Sequence, residues 1–234
     1  MRPASRGQLD EGRGELMRVR GGEATLILVR HGETEWNLSG RIQGHLDSPL
    51  TALGSEQGRR VTERLSGFKI GAVYASDVGR ATVTAELIAT PHGLTVTQVG
   101  ALRERCYGDF EGRTLQELSQ HDAATVKTWL ADRQQLAPPH GETQPQMAER
   151  VVTALREIAG KHLGEMVAVA THGGPIKSAV FSILQAPLSA WDRTWVSNGS
   201  ITILRGKPEL LRVACYNDTC HLDSTFVRAK GIED

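Results

Sequence analysis

The chain has 234 residues, 39% of them hydrophobic and 23% charged, with 27 Lys plus Arg against 27 Asp plus Glu. At roughly 150 residues per domain this allows one large domain or two small ones, with enough chain to bury a core without disulfide or metal staples. Charge balance argues against a nucleic-acid partner. No stretch reaches the ~20 apolar residues of a membrane span. The three cysteines lack framework spacing, which places the chain in a reducing cytoplasm.

Residues 1–23 are rich in Arg and Gly and carry no period, so they read as a poorly ordered leader. Met17 is then the expected native start, and deleting residues 1–16 is expected to leave folding and activity intact. Residues 24–234 read as one domain. A continuous apolar run at 24–29 predicts a strand buried on both faces. A polar loop runs from there through Pro49. Thr51 is placed as an N-cap, with Leu53, Val61 and Leu65 on one helical side and Gly67 as the stop. A second short strand follows at 72–75, a helix over 79–90 ending near Pro91, and a third strand at 94–97. Residues 114–135 read as helical but polar, a cover rather than core. After a break at 138–141, Met147, Val151, Ala154, Leu155 and Ile158 keep helical spacing up to Lys161. A buried strand at 166–170, a helix carrying Ile176, Ala179, Val180, Ile183 and Leu184, and a strand pair at 200–204 and 210–214 complete the chain. Strands alternating with helices predict a three-layer α/β/α sandwich around a mostly parallel sheet.

In open α/β sheets ligands bind beyond the carboxyl ends of strands. The segments found there are Arg30-His31-Gly32, Ser76-Asp77 with Arg80, Arg103-Glu104-Arg105, and His172-Gly173-Gly174. Each has a bland reading alone. A histidine at a strand end is usually a hydrogen-bonded loop residue, Arg80 at a helix start is a surface residue that the dipole disfavours, and Glu104 between arginines is a surface ion pair. Their shared location points to phosphoryl chemistry. Guanidiniums present paired donors to phosphate oxygens, and glycines leave backbone amides accessible. A neutral imidazole, favoured by surrounding cations, is a nucleophile toward phosphorus, and a second imidazole, if protonated, stabilises charge on the transferred group. A carboxylic acid can protonate the leaving oxygen and then activate water. His-Glu-x-x-His and Cys-x-x-Cys patterns are missing, so no metal is expected. Cys106 and His221 read as structural; His45, His92, His121, His140 and His162 read as loop or surface.

The run 28–34, Leu-Val-Arg-His-Gly-Glu-Thr, with Trp36-Asn37, resembles the signature of the histidine phosphatase superfamily, also called the phosphoglycerate mutase-like family. The likeness continues through 47–51, Gly54, Gln57, 75–77, Arg80-Ala81, Thr84-Ala85, 102–104, 107–112, 171–174 and 217–219. It spans about 24–222. The resemblance implies the same sandwich and no cofactor. It implies His31 as the nucleophile that becomes phosphohistidine, Glu104 as proton donor and later base, and His172 with Arg30 and Arg80 as the phosphate pocket. Asn37 and the Gly173 amide would add phosphate contacts. Mutases similar to the glycolytic enzyme carry an Arg pair for the substrate carboxylate in an extended segment after the Glu region. Here 121–141 offers only Lys127 and Arg133. The 107–112 run also looks more like the phosphatase branch. The expectation is therefore a metal-independent phosphomonoesterase acting on a small phosphorylated metabolite, with a phosphoglycerate mutase as the alternative. A non-catalytic phosphate-binding module is the remote third. Arg41 and Arg105 are either ligands for a second anionic group or solvated charges. Trp129, Trp191 and Trp195 read as packing, with a pocket wall as the alternative for Trp129. Neither nucleic acid nor membrane is expected as a partner, and a homodimer is left open.

Overall fold

The computed structural model describes residues 21–222, so the expected leader lies outside the described residues up to position 20, and the Met17 start with it. Chain order is β1 (Ala24–Arg30), α1 (Glu35–Leu38), α2 (Ala52–Ser66), β2 (Ile70–Ala75), α3 (Gly79–Ala89), β3 (Val96–Gln98), α4 (Leu115–His121) and α5 (Ala123–Ala131). It continues with α6 (Gln144–Lys161), β4 (Met166–Thr171), α7 (Gly173–Leu184), β5 (Ile201–Lys207) and β6 (Leu210–Asp218). The sheet runs β3-β2-β4-β1-β5-β6. β1, β2, β3 and β4 are mutually parallel, whereas β5 is antiparallel to β1 and β6 to β5.

The apolar run of β1 is the reason it sits centrally. Every one of its residues is buried, and a period of two sends alternate side chains to opposite faces. Leu26 and Leu28 pack with Met147, Val151 and Leu155 of α6 and Ile176 and Ala179 of α7. Ile27 and Val29 pack with Val61 and Leu65 of α2 and Ala85 and Ile88 of α3. β4 repeats the division, with Val167 and Val169 on one side and Met166, Ala168 and Ala170 on the other. Two helix pairs thus clamp one sheet, the sandwich expected from the sequence. No helix among the described residues is long and apolar enough to cross a membrane.

Capping fixes where the helices begin. The Thr51 hydroxyl accepts from the Gly54 amide at 2.9 Å, as placed from sequence, and Gly67 is the C-cap. Four expectations need correction. The loop after β1 contains the single turn α1, nucleated by a capping box between Thr34 and Asn37. β3 starts at Val96 rather than Leu94. A 3₁₀ turn over Thr90–His92 ends on Gly93 at φ +65°, and the Leu94 amide is still tied to Ala89 O. β6 extends to Asp218, past the expected 214. The 114–135 cover is two helices broken at Asp122, and it has a core of its own, in which Phe110, Leu118, Val126 and Trp129 pack together. The break resets the helical phase, so no continuous apolar face was readable.

Candidate active site

Parallel pairing in register sets the site. Arg30 lies beside Thr171, and Ala75 beside Ala170. The residues that follow β1, β4 and β2 therefore leave the sheet side by side. His31 and His172 meet edge to face, with ring centroids 5.2 Å apart and an interplanar angle of 66°.

His31 is pinned on several sides. Its amide donates to Thr171 O at 3.0 Å, and its carbonyl accepts from Asn198 Nδ2 at 3.1 Å. Nδ1 lies 2.7 Å from Gly32 O. A carbonyl only accepts, so Nδ1 carries the ring proton. Nε2 is then the nitrogen with the lone pair, and the Arg80 Nε–H donates to it at 3.3 Å. The loop is held close to α2. A Cβ on Gly32 would lie 2.2 Å from Gly54 O, so only glycine fits there.

Arg80 is not a surface residue. Its side chain is almost fully buried, and its guanidinium donates to Leu46 O at 2.7 Å, to Gly44 O at 2.8 Å and to Asp47 Oδ1 at 3.3 Å. Asp47 also accepts from the Arg80 amide at 3.2 Å. A carboxylate therefore sits at the α3 N-terminus, where the dipole favours it, and offsets the cation's unfavourable place. Burial lowers the Arg80 pKa, opposed by Glu104 and Asp47; the group remains a cation. Arg30 is buried beside it and donates to Val196 O. Gly173 abuts Arg30, since a Cβ there would be 3.5 Å from the guanidinium carbon.

His172 is fully buried. Desolvation, then Arg80, His31 and Arg30, push its pKa well below the ordinary value. It is neutral rather than protonated in this state. Its Nε2 lies 2.9 Å from Ser76 Oγ, and its Nδ1 has no partner among the described residues. Glu104 is held by two amides, Oε1 by Arg105 N at 2.8 Å and Oε2 by Gly174 N at 3.0 Å. Its arginine neighbours do not pair with it. Arg103 forms a two-point ion pair with Asp77, both bonds 2.6 Å. Asn37 accepts on Oδ1 from Thr34 N at 3.1 Å and from Asn198 Nδ2 at 3.2 Å.

Arg30, His31, Asn37, Arg80, Glu104 and Gly173 line one cavity; His172 is not among its lining residues but packs against His31. Six of the seven residues singled out by sequence thus share a wall. Trp129 is buried and also lines this cavity, both roles considered for it; Trp191, read as packing alone, is buried and lines the cavity as well. Arg105 is not a solvated charge. It is fully buried and donates to the carbonyls of Glu142, Arg133 and Leu136. Arg41 is locked to Glu117 at 2.8 and 3.0 Å. Trp36, Gln144, Met147 and Lys177 also line the cavity and were missed. Only Lys177 left a signal. It stands four residues after Gly173, on the same helical face.

Two imidazoles, two guanidiniums and a carboxyl thus gather at the carboxyl ends of parallel strands of an α/β/α sandwich. The family model of the histidine phosphatase superfamily (branch 1) matches residues 26–219, and the chain belongs to that superfamily. It is 39% identical over 214 residues to phosphoglycerate mutase-like protein 4 of Arabidopsis thaliana, covering 89% of this chain and 91% of that protein. It is 34% identical over 211 residues to the metal-independent phosphoserine phosphatase of the same plant, covering 89% and 87%. The solved structure of Bacillus stearothermophilus YhfR matches with a TM-score of 0.79 at 34% identity, over 86% of this chain and 100% of that one. Membership makes the protein an enzyme of the phosphatase or mutase kind.

Proposed function

We propose that the protein is a phosphomonoesterase that carries the phosphoryl group of a small cytoplasmic metabolite through His31 to water. His31 Nε2 attacks phosphorus in line as the P–O bond to the alcohol breaks. Glu104 gives its proton to the departing oxygen. The carboxylate so formed takes a proton from water, the water oxygen attacks phosphorus, and the P–N bond breaks to release inorganic phosphate. Arg30, Arg80, Asn37 and the Gly173 amide hold the non-bridging oxygens, and their donors strengthen as charge develops. The observation that carries this reading is the unprotonated Nε2 of His31, held by Arg80 in the cavity that Glu104 also lines. Hydrolysis is favoured over return of the group to a bound intermediate because the outer cations are already engaged. Arg41 is on Glu117, Arg105 is on three carbonyls, and Arg133 is on Asp192 at 2.5 Å.

The test is phosphate release from a panel of small phosphomonoesters. Wild type releases phosphate with or without chelator, and His31→Ala releases none. Acid quenching of wild type traps an acid-labile, base-stable phosphate that the variant lacks. Turnover retained in His31→Ala overturns the nucleophile. Faster isomerisation than phosphate release on a monophosphoglycerate overturns the phosphatase reading in favour of the mutase.

A further inference from the structure

The proposed mechanism gives His172 no part, and the question is what a neutral imidazole could do beside His31. Ser76 supplies the answer. It follows the last residue of β2, and its backbone is fixed at both ends. Its amide donates to Ala170 O at 3.0 Å, and its carbonyl accepts from Thr82 Oγ1 at 3.2 Å. The hydroxyl is fully buried and has two neighbours. The Val78 amide donates to Oγ at 3.4 Å, and His172 Nε2 lies 2.9 Å away. An amide only donates, so the Val78 contact uses an oxygen lone pair. The hydroxyl has no other acceptor among the described residues, so its proton is directed to His172 Nε2. Nε2 accepts, and the ring proton of the neutral imidazole sits on Nδ1.

We propose that Ser76 is a positioning residue for phosphoryl transfer: it locks neutral His172 in the Nδ1–H tautomer, so that this N–H is donated to an oxygen of the phosphoryl group held against His31. The proposal rests on the site being a phosphoryl pocket and adds a residue to it. Nδ1 is buried without a partner among the described residues, a state that costs free energy until an acceptor arrives. A non-bridging phosphoryl oxygen is that acceptor. The opposite tautomer would turn a nitrogen lone pair toward the oxyanion and repel it. Ser76 therefore acts through His172 and need not touch substrate.

Two- and three-bond ¹H–¹⁵N correlations on the full-length protein read the tautomer directly. In wild type, His172 Nδ1 shows a protonated shift and Nε2 a bare, pyridine-like one. In Ser76→Ala the bare signal moves to Nδ1 or averages between the two. Orthovanadate affinity then falls about tenfold, the loss of one hydrogen bond to a charged group. Ser76→Thr keeps a hydroxyl and restores much of both readouts. A wild-type spectrum with Nε2 protonated overturns the proposal without any variant, so a folding defect in Ser76→Ala cannot hide the answer. Unchanged vanadate affinity in a folded Ser76→Ala also overturns it. Wild-type protein that binds no vanadate and releases no phosphate sinks the phosphatase reading itself, an outcome distinct from either.

Discussion

Arg80 illustrates how much of the site is decided by single side chains. A buried guanidinium is costly, and what holds it is geometry. One planar fork meets Gly44 O, Leu46 O and the imidazole of His31 at once. An ammonium keeps the charge but not that fork. Arg80→Lys is therefore expected to fold and to lose a hundredfold or more in kcat/KM, because His31 Nε2 loses its aligned donor. Steady-state kinetics beside a circular dichroism melt check this; near wild-type turnover would mean that charge alone suffices. His172 predicts a pH dependence of stability. Its pKa is depressed in the folded protein, and that of His221 is depressed as well, chiefly by burial. Above about pH 6.5 both rings are neutral folded or unfolded and contribute no slope. Below it the unfolded chain binds protons that the folded one refuses, so stability falls as pH falls toward the depressed values, by up to about 1.4 kcal/mol per pH unit for each ring. Urea midpoints between pH 7.5 and 5 should decline in wild type and decline less steeply in His172→Asn. Equal slopes would place the proton uptake elsewhere.

At the scale of elements, the loop after β1 and the first turn of α2 are built as one piece. A Cβ on Gly54 would lie 2.0 Å from Glu33 O, so the helix touches the loop backbone itself. Gly54→Ala must force them apart, and it should cost about 1–3 kcal/mol and lower kcat by displacing His31. Thr51→Ala, in the same turn, removes the cap and the hydroxyl's 3.1 Å bond to Glu33 Oε1 but wedges nothing between helix and loop, so it should cost about 1–2 kcal/mol and lower kcat less than Gly54→Ala does. Chemical denaturation and kinetics on the pair separate packing from capping; similar activities would show that the loop tolerates displacement. The same region shows what a sequence exposes. β1 and β4 were readable because almost every position is apolar, and the strand-end motifs were readable because the backbone order places them. Ser76 and His172 were both seen, but their contact spans 96 positions and follows no period. Trp129 was visible as a residue, but its role depends on a break at Asp122 that hides the helical face. Gln144 reaches the cavity only through the way α6 packs, which local pattern does not encode.

For the whole molecule, the sheet and its two helix pairs form one body, while the outer wall of the cavity hangs on two arginines. Arg150 reaches from α6 to the carbonyls of Ala101, Arg103 and Glu104 at 2.8–2.9 Å and pairs with Glu142. Arg105 holds the segment 133–142 through three carbonyls, and Arg133 and Gln134 clasp Asp192 from that segment. None of these bonds involves β1 or β4. The wall should therefore open locally while the sheet stays closed. Arg105→Met fills much of the same volume but leaves the carbonyls of Arg133, Leu136 and Glu142 without their donor. Its expected effect is confined. Amides across 133–142 exchange at least tenfold faster, and those of β1 and β4 keep their protection. KM for a phosphomonoester should rise more than kcat falls, because in the proposed mechanism His31 and Arg80 take the phosphoryl end and leave the wall to meet the leaving group. Hydrogen exchange by mass spectrometry on the variant reads both regions at once. Uniform acceleration through β1 and β4 would instead make Arg105 a support of the entire fold, and would remove the reason for treating the wall as separable from the phosphate pocket.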